Sequence, residues 1–164
     1  MEQAVRTMLG DLERSGPENV GPPVRCLAVI AADVGDLFPA TVDPLARRRR
    51  RAGAARLARR AMSLATSVHG LIADRPDTAR AWSYNVHEVE RALQQRQDQR
   101  AADAQACVRD LARVARLVLE LPPFAEEGEW QASVIAFADE AVLADLHAAC
   151  LELAAAALSL AAAS

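Results

Sequence analysis

The chain of 164 residues lacks lysine altogether and has few aromatic side chains. Aromatic residues make up 4% of the chain, whereas hydrophobic residues make up 52% and Ala alone supplies more than a fifth. Ala is the strongest helix former, and a sheet would need more β-branched and aromatic residues. No segment alternates between polar and apolar residues with hairpin turns between. The composition therefore predicts an all-α protein.

Sequence motifs for cofactors and metals are also scarce. The seven Gly are isolated, which excludes a Gly-rich phosphate loop. A carboxylate-bridged di-iron bundle needs a Glu three residues before a His, but those positions hold Thr66, Tyr84 and Ala144. His147 and Cys150 are one helical turn apart, yet a zinc site needs four ligands and the others are not evident. We expect no cofactor and no metal, with His147 and Cys150 as packing residues.

Three widely spaced cysteines and the missing secretion signals bear on localisation. Cys26, Cys107 and Cys150 each lie among apolar residues, which indicates buried thiols in a reducing compartment. The amino-terminal segment carries charges and has no continuous apolar core typical of a signal peptide. The apolar stretch 141–163 is interrupted by Asp145, His147 and Glu152, so we expect no membrane span. The prediction is a cytoplasmic protein.

Apolar residues recur at helical spacing over most of the chain. They predict one domain over residues 1–164, with four long helices and two shorter N-terminal helices packed as an antiparallel bundle. Stacked helix pairs are the alternative architecture. The short helices are expected at about 2–14 and 24–38, and the long ones at about 43–73, 78–93, 104–118 and 130–160. A turn is expected near Asp98, and the last helix would be up to about 50 Å long.

The predicted core follows from the same spacing. In the long helices the apolar stripes are Leu57, Ala61, Leu64, Val68, Leu71; Ala79, Trp82, Val86, Val89, Leu93; Ala104, Val108, Leu111, Ala115, Val118; and Trp130, Val134, Phe137, Ala141, Leu146, Ala149, Leu153, Leu160.

Charge is strongly segregated along a chain whose net charge is only −3. Residues 44–60 contain eight Arg and no acid, including the run Arg47, Arg48, Arg49, Arg50 and Arg51, whereas residues 120–164 contain eight acids and no base. Three interpretations compete for the Arg run. It is a solvated face partly neutralised by the last helix, in one chain or across a dimer; a docking surface for an acidic protein; or a phosphate-binding site. Nucleic acid is the least favoured partner, because aromatic residues do not alternate with the Arg.

Asp33 and Asp36 are the one carboxylate pair within an apolar segment. Such a pair could share a proton or bind Mg²⁺. The approaching helix end and Gly35 favour a simple surface turn instead.

The function is predicted from the apolar stripes, the segregated charge and the scarcity of cofactor and metal motifs. The leading hypothesis is a non-enzymatic bundle that acts through contacts with a protein partner or with itself as a homo-oligomer, using Arg47–Arg51. The alternative is a small-molecule-binding or biosynthetic bundle whose site lies beside Trp82 or Trp130.

A third hypothesis comes from Arg80 and His87, an Arg followed after six residues by His. This spacing resembles the signature of HEPN-type ribonucleases, which are helical homodimers. The resemblance covers these two positions, and Ala81 departs from the polar residue usual in that family. It implies that Arg80 and His87 of two subunits meet and assist phosphodiester cleavage. The alternative is a surface His paired with Glu88 or Glu90.

Overall fold

The computed structural model describes residues 33–39, 41–73, 86–100, 102–121 and 139–163. These residues form four α-helices and one 3₁₀ turn, and no strand occurs among them. The helices are α1 (Pro44–Ala73), α2 (Val86–Asp98), α3 (Ala104–Leu119) and α4 (Glu140–Ala163), and the 3₁₀ turn is Gly35–Leu37. The predicted all-α class is confirmed for this part of the chain.

Helix starts follow the capping residues in the sequence. An oxygen of Asp43 accepts a hydrogen bond from the Ala46 amide at 2.7 Å, and Pro44 occupies the first helical position of α1. Asp103 caps α3 in the same way through the Gln105 amide at 2.9 Å. The predicted turn near Asp98 is confirmed, because α2 ends at that residue.

The prediction for the last helix was wrong about its start. Asp139 accepts a hydrogen bond from the Ala141 amide at 2.8 Å, and α4 begins at Glu140 rather than near Trp130. With 24 residues the helix is about 36 Å long, not 50 Å. Ala141 was expected in the core but is exposed, because it lies in the first turn.

Helix α4 is the centre of the structure. It contacts α1 most extensively and also packs against α2 and α3. Its buried residues lie on nearly all sides, and the run Ala154–Ala157 is fully buried. Because these side chains are small, neighbouring helices can approach closely and still fill the space between them.

The predicted apolar stripes of α1 and α3 are confirmed wherever their side chains are described. Leu57, Ala61, Leu64 and Val68 of α1 are at most 3% exposed. The stripe residues of α3 are also buried: Ala104, Val108, Leu111, Ala115 and Val118. Leu93 of α2 is half-buried against the same core.

Helix α4 is also long and apolar enough to cross a membrane by length and composition, with a mean hydropathy of 1.7 in its most apolar window. In this structure 61% of that window is buried inside the protein. Core helices pass the same test, so the absence of a membrane span and the cytoplasmic location stay predictions.

The two shorter N-terminal helices fall largely outside the described residues. Only the end of the second is seen, where Asp33 and Val34 are helical and the chain turns through Gly35–Leu37 before Pro39.

Candidate interaction surface

The Arg run lies in the first two turns of α1, facing mainly solvent. Arg47, Arg48, Arg49 and Arg51 are exposed, and Arg50 is half-buried with a buried Nε that has no hydrogen-bond partner. None of the five forms an ion pair with a carboxylate of the described residues. The apolar stripe of α1 thus ends near Ala54, and the turns before it carry five Arg that form no ion pair with a described residue.

Two other Arg of the basic block, Arg56 and Arg60, have carboxylate partners, whereas Arg59 is exposed and forms no ion pair with a described residue. Arg56 Nε lies 3.2 Å from an oxygen of Asp33, and its terminal nitrogen binds Asp36. Arg60 lies 3.1 Å from the other oxygen of Asp33, which is only 7% exposed. Because two guanidinium groups hold these acids, the pair is a structural clamp and is not arranged as a Mg²⁺ site or a shared-proton pair.

Glycine makes this clamp possible. A Cβ built on Gly53 would lie 2.7 Å from the Cβ of Asp36, which is closer than real side chains approach. Gly53 therefore allows the 3₁₀ turn to lie directly on α1, with Leu37 in the core.

Exposed apolar side chains border the Arg run. Phe38, Val42 and Leu45 are 45%, 89% and 56% exposed, and they are the large hydrophobic residues that the described part of the chain leaves in solvent. An open cleft of about 340 Å³ lies between the 3₁₀ turn and α1. Its lining residues are Gly35, Asp36, Pro39, Thr41, Asp43, Leu45, Ala46 and Arg49. We call Phe38, Val42, Leu45 and Arg47–Arg51 together the basic surface.

The acidic block does not neutralise the basic surface within the described chain. Asp139, Glu140 and Asp145 at the start of α4 are exposed and form no ion pair with a described residue. His147, next to them, contacts His69, which is twenty residues beyond Arg49 on α1. At 1.5 Å per residue this is about 30 Å along α1. Neutralisation of the Arg run by these residues of the last helix of the same chain is therefore excluded.

Glu152, the remaining acid of α4, has other partners. Its oxygens lie 2.9 Å from Arg96 Nε and 3.0 Å from Arg100 Nε, and Arg100 also lies 3.3 Å from Asp110. The network joins the end of α2 to α3 and α4. Burial alone would raise the pKa of Glu152, but hydrogen bonds and charges of Arg100 and Arg96 outweigh it and lower that pKa. Burial raises the pKa of Asp110 despite Arg100.

The buried histidines and thiols have the properties of packing residues. Burial lowers the pKa of His147 to about 4, assisted by His69 and Arg96, and burial also lowers the pKa of His69. Burial raises the pKa of the Cys107 thiol to about 12, so the reactive thiolate is scarce at neutral pH. Cys107 and Cys150 are free and buried. Among the described residues no three His, Cys, Asp or Glu side chains are grouped to hold a metal ion.

The other sequence-predicted site residues are not tested by the structure. Arg80, Trp82 and Trp130 lie outside the described residues, and of His87 only the backbone, in α2, is described. The ribonuclease and ligand-pocket hypotheses thus stay predictions.

The sequence did not predict the contacts of Arg56 and Arg60 with Asp33 and Asp36, nor two contacts of α4, although one of those two had a signal. Glu152 is the one charged residue in the apolar segment 146–163, and a carboxylate in such surroundings needs a cationic partner. Arg96 and Arg100, four residues apart in a polar segment, were available to provide it. The His69–His147 contact had no comparable signal.

The chain matches no protein-family model, no curated protein and no solved structure, so the basic surface is identified from its own geometry.

Proposed function

We propose that this chain is a non-enzymatic helical protein that acts by binding other protein chains through the basic surface. The observation that carries the proposal is the combination, near the start of α1, of five Arg that form no ion pair with a described residue and three exposed large apolar side chains. Large apolar side chains exposed close in sequence to a row of charges are a reason to look for an interaction site there.

The chemistry of this surface indicates the class of partner. Arg is enriched at protein interfaces because its planar guanidinium binds carboxylates with two hydrogen bonds and also packs against apolar surface. Phe38, Val42 and Leu45 supply apolar area, whereas the Arg side chains select a partner of opposite charge and accelerate association. The partner is therefore an acidic protein surface that also exposes apolar groups.

Nucleic acid fits this surface less well. Phosphate binding needs several cations, which are present, but single-strand binding also uses stacked aromatic rings. Phe38 is the one aromatic residue of the surface, and the chain as a whole carries a net charge of −3.

The helices are proposed to form an antiparallel bundle, and the protein is proposed to work in the cytoplasm. Contact between His69, near the end of α1, and His147, near the start of α4, supports an antiparallel course of these two helices. In that arrangement the basic surface lies at the opposite end from Asp139, Glu140 and Asp145.

The test compares three forms of the tagged protein in co-purification with quantitative mass spectrometry. They are the native chain, the variant Arg47→Gln/Arg48→Gln/Arg49→Gln, and a control, Arg91→Gln/Arg113→Gln/Arg116→Gln, which changes exposed Arg elsewhere. We expect acidic proteins to co-purify with the native chain and with the control, but not with the first variant. Each is then purified and titrated against the native chain, and binding should weaken as salt is added. Equal partner sets for all three forms would reject the proposal.

A further inference from the structure

We infer that the basic surface binds a second copy of this chain, at the acidic start of α4 formed by Asp139, Glu140 and Asp145. The inference rests on the proposed function and names the partner of that surface. It is carried by charge complementarity between two mostly exposed groups of residues in the same chain, neither of which forms an ion pair with a described residue.

Both groups are available for contact. The three acids and four of the five Arg are exposed, and no member of either group forms an ion pair with a described residue. Elsewhere in the described chain, partly buried acids are paired with Arg, as Asp33 is with Arg56 and Glu152 with Arg100. Exposed Arg without an ion pair to a described residue also occur outside these groups, at Arg59, Arg91, Arg113 and Arg116, but the largest group of such cations in the described chain is the Arg run.

One chain cannot bring its two patches together. The His69–His147 contact holds Asp145 beside the far end of α1, about 30 Å from the Arg run. This exceeds the screening length of about 8 Å at physiological ionic strength. Among the described carboxylates, those at the start of α4 can reach these Arg only from a second molecule.

Two-fold symmetry allows both patches of each copy to be paired in one dimer. In a dimer with such symmetry each contact occurs twice, so the basic surface of each copy meets the acidic end of the other. Beside the three acids, α4 exposes Ala141 and leaves Val142 half-buried. These small apolar residues match the exposed Val42 and Leu45, whose burial adds apolar contact to the charge pairing.

Salt and concentration provide the first test. We expect sedimentation-velocity analysis to show a dimer that dissociates as salt rises from about 0.01 M to about 1 M, over which the screening length falls from ~30 Å to ~3 Å. A monomer at low salt over the whole accessible concentration range would overturn the inference.

Charge reversal locates the contact. Variant B carries Arg47→Glu and Arg48→Glu, and variant A carries Glu140→Arg and Asp145→Arg; Asp139 is kept because it caps α4. We expect each variant alone to raise the dimer Kd more than about tenfold, because like charges then face each other. The control Arg113→Glu/Arg116→Glu changes the net charge as variant B does, at exposed positions of α3, and should dimerise as the native chain does.

Mixing the two variants is the decisive experiment. In an A–B heterodimer one contact has both signs exchanged and the other is native, so both are attractive and association should recover to near the native Kd. The chain has no Lys, so a fluorophore on the amino terminus labels one form selectively for sedimentation. Helix content by circular dichroism verifies that both variants are folded. Failure of the mixture to associate would overturn the inference.

Failure of this inference is distinguishable from failure of the proposed function. Suppose that the native chain stays monomeric and that Arg47→Gln/Arg48→Gln/Arg49→Gln still abolishes binding of acidic partners. The proposed function then holds, and the inference that the partner is a second copy is rejected. A native dimer that variant B leaves intact places self-association on another surface and also rejects this inference.

Discussion

His69 of α1 and His147 of α4 lie against each other in the core, with ring centroids 5.7 Å apart and ring planes inclined by 58°. Both residues are buried, at 6% and 9% exposure. Two imidazolium ions at this separation would repel each other in surroundings that solvate them poorly. The contact between the helices is therefore made by neutral histidines, and its stability depends on pH.

The first prediction is a loss of stability on mild acidification. The pKa of His147 is lowered from 6.5 to about 4, so the unfolded chain binds a proton at a higher pH than the folded chain does. The stabilisation is complete above pH 6.5 and declines as pH falls toward 4. Between pH 7 and 5 we expect the free energy of unfolding to fall by about 2 kcal/mol from His147 alone. Urea unfolding monitored by circular dichroism measures it.

The variant His147→Gln provides the control. It retains a polar side chain of similar size but cannot be protonated in this range, so its stability should change less between pH 7 and 5. The remaining change includes the contribution of His69, whose pKa is lowered in the same direction. A native chain with the same pH dependence as His147→Gln would contradict the prediction.

The second prediction concerns Arg100, which joins three helices by binding Glu152 and Asp110. Replacing Arg100 by Ala leaves both carboxylates partly buried with less compensation, because only Arg96 then binds Glu152. We expect a loss of about 2 kcal/mol in the free energy of unfolding, less than for a fully buried pair because the site is partly hydrated. Chemical denaturation at neutral pH measures it.

Arg109 of α3 offers a matched comparison. Its side chain is 65% exposed and lies 3.6 Å from Asp103, so this is a surface ion pair. Arg109→Ala should cost less than about 1 kcal/mol. Equal losses for Arg100→Ala and Arg109→Ala would show that the network around Glu152 adds nothing beyond an exposed pair.

Much of the fold could be predicted because local chemistry determines it. Asp43 followed by Pro44 predicts a helix start, and the structure places α1 there. The stripes of α1 and α3 are buried as their spacing requires, because a 3.6-residue period puts those side chains on one face. The start of α4 was missed, although Asp139 is a good capping residue. Apolar residues continue on both sides of it, so periodicity alone does not mark the boundary.

The contacts between helices could not be predicted in the same way. Whether Asp33 meets Arg56 or a metal ion depends on how the 3₁₀ turn packs on α1, which residue spacing does not encode. The same holds for the charged blocks: sequence shows that 44–60 and 120–164 have opposite charge, but not that His147 holds the described acidic end of α4 about 30 Å from Arg49. The candidate surface could therefore be identified only from the sequence together with the packing of the helices.

The third prediction concerns the close approach at Gly53. Ala is a better helix former than Gly by up to about 1 kcal/mol, but the added Cβ would meet the Cβ of Asp36. Because that atom is next to the backbone and cannot rotate away, the 3₁₀ turn must shift. We expect Gly53→Ala to lower the free energy of unfolding by about 1–3 kcal/mol, as overpacking does elsewhere.

Two further variants separate the clash from other effects. A Cβ on Gly35 would have no neighbour within 4 Å, so Gly35→Ala should leave stability nearly unchanged. Asp36→Gly removes the opposing Cβ, and in this background Gly53→Ala should become neutral or stabilising. If the cost of Gly53→Ala is the same with and without Asp36→Gly, the two sites are independent and the close approach is not its cause.

The last prediction separates residues that stabilise the fold from residues that bind partners. Leu153 of α4 is fully buried, whereas Leu45 on the basic surface is 56% exposed. Leu153→Ala should cost about 2–5 kcal/mol because it leaves a cavity in the helix that contacts all the others. Leu45→Ala should change the free energy of unfolding by less than about 0.5 kcal/mol, since its apolar surface is already in water. In sedimentation at low salt the same Leu45→Ala chain should dimerise more weakly than the native chain, because an apolar contact of the interface is lost. A large loss of stability in Leu45→Ala would mean that this side chain packs within its own chain, and its role in binding would have to be abandoned.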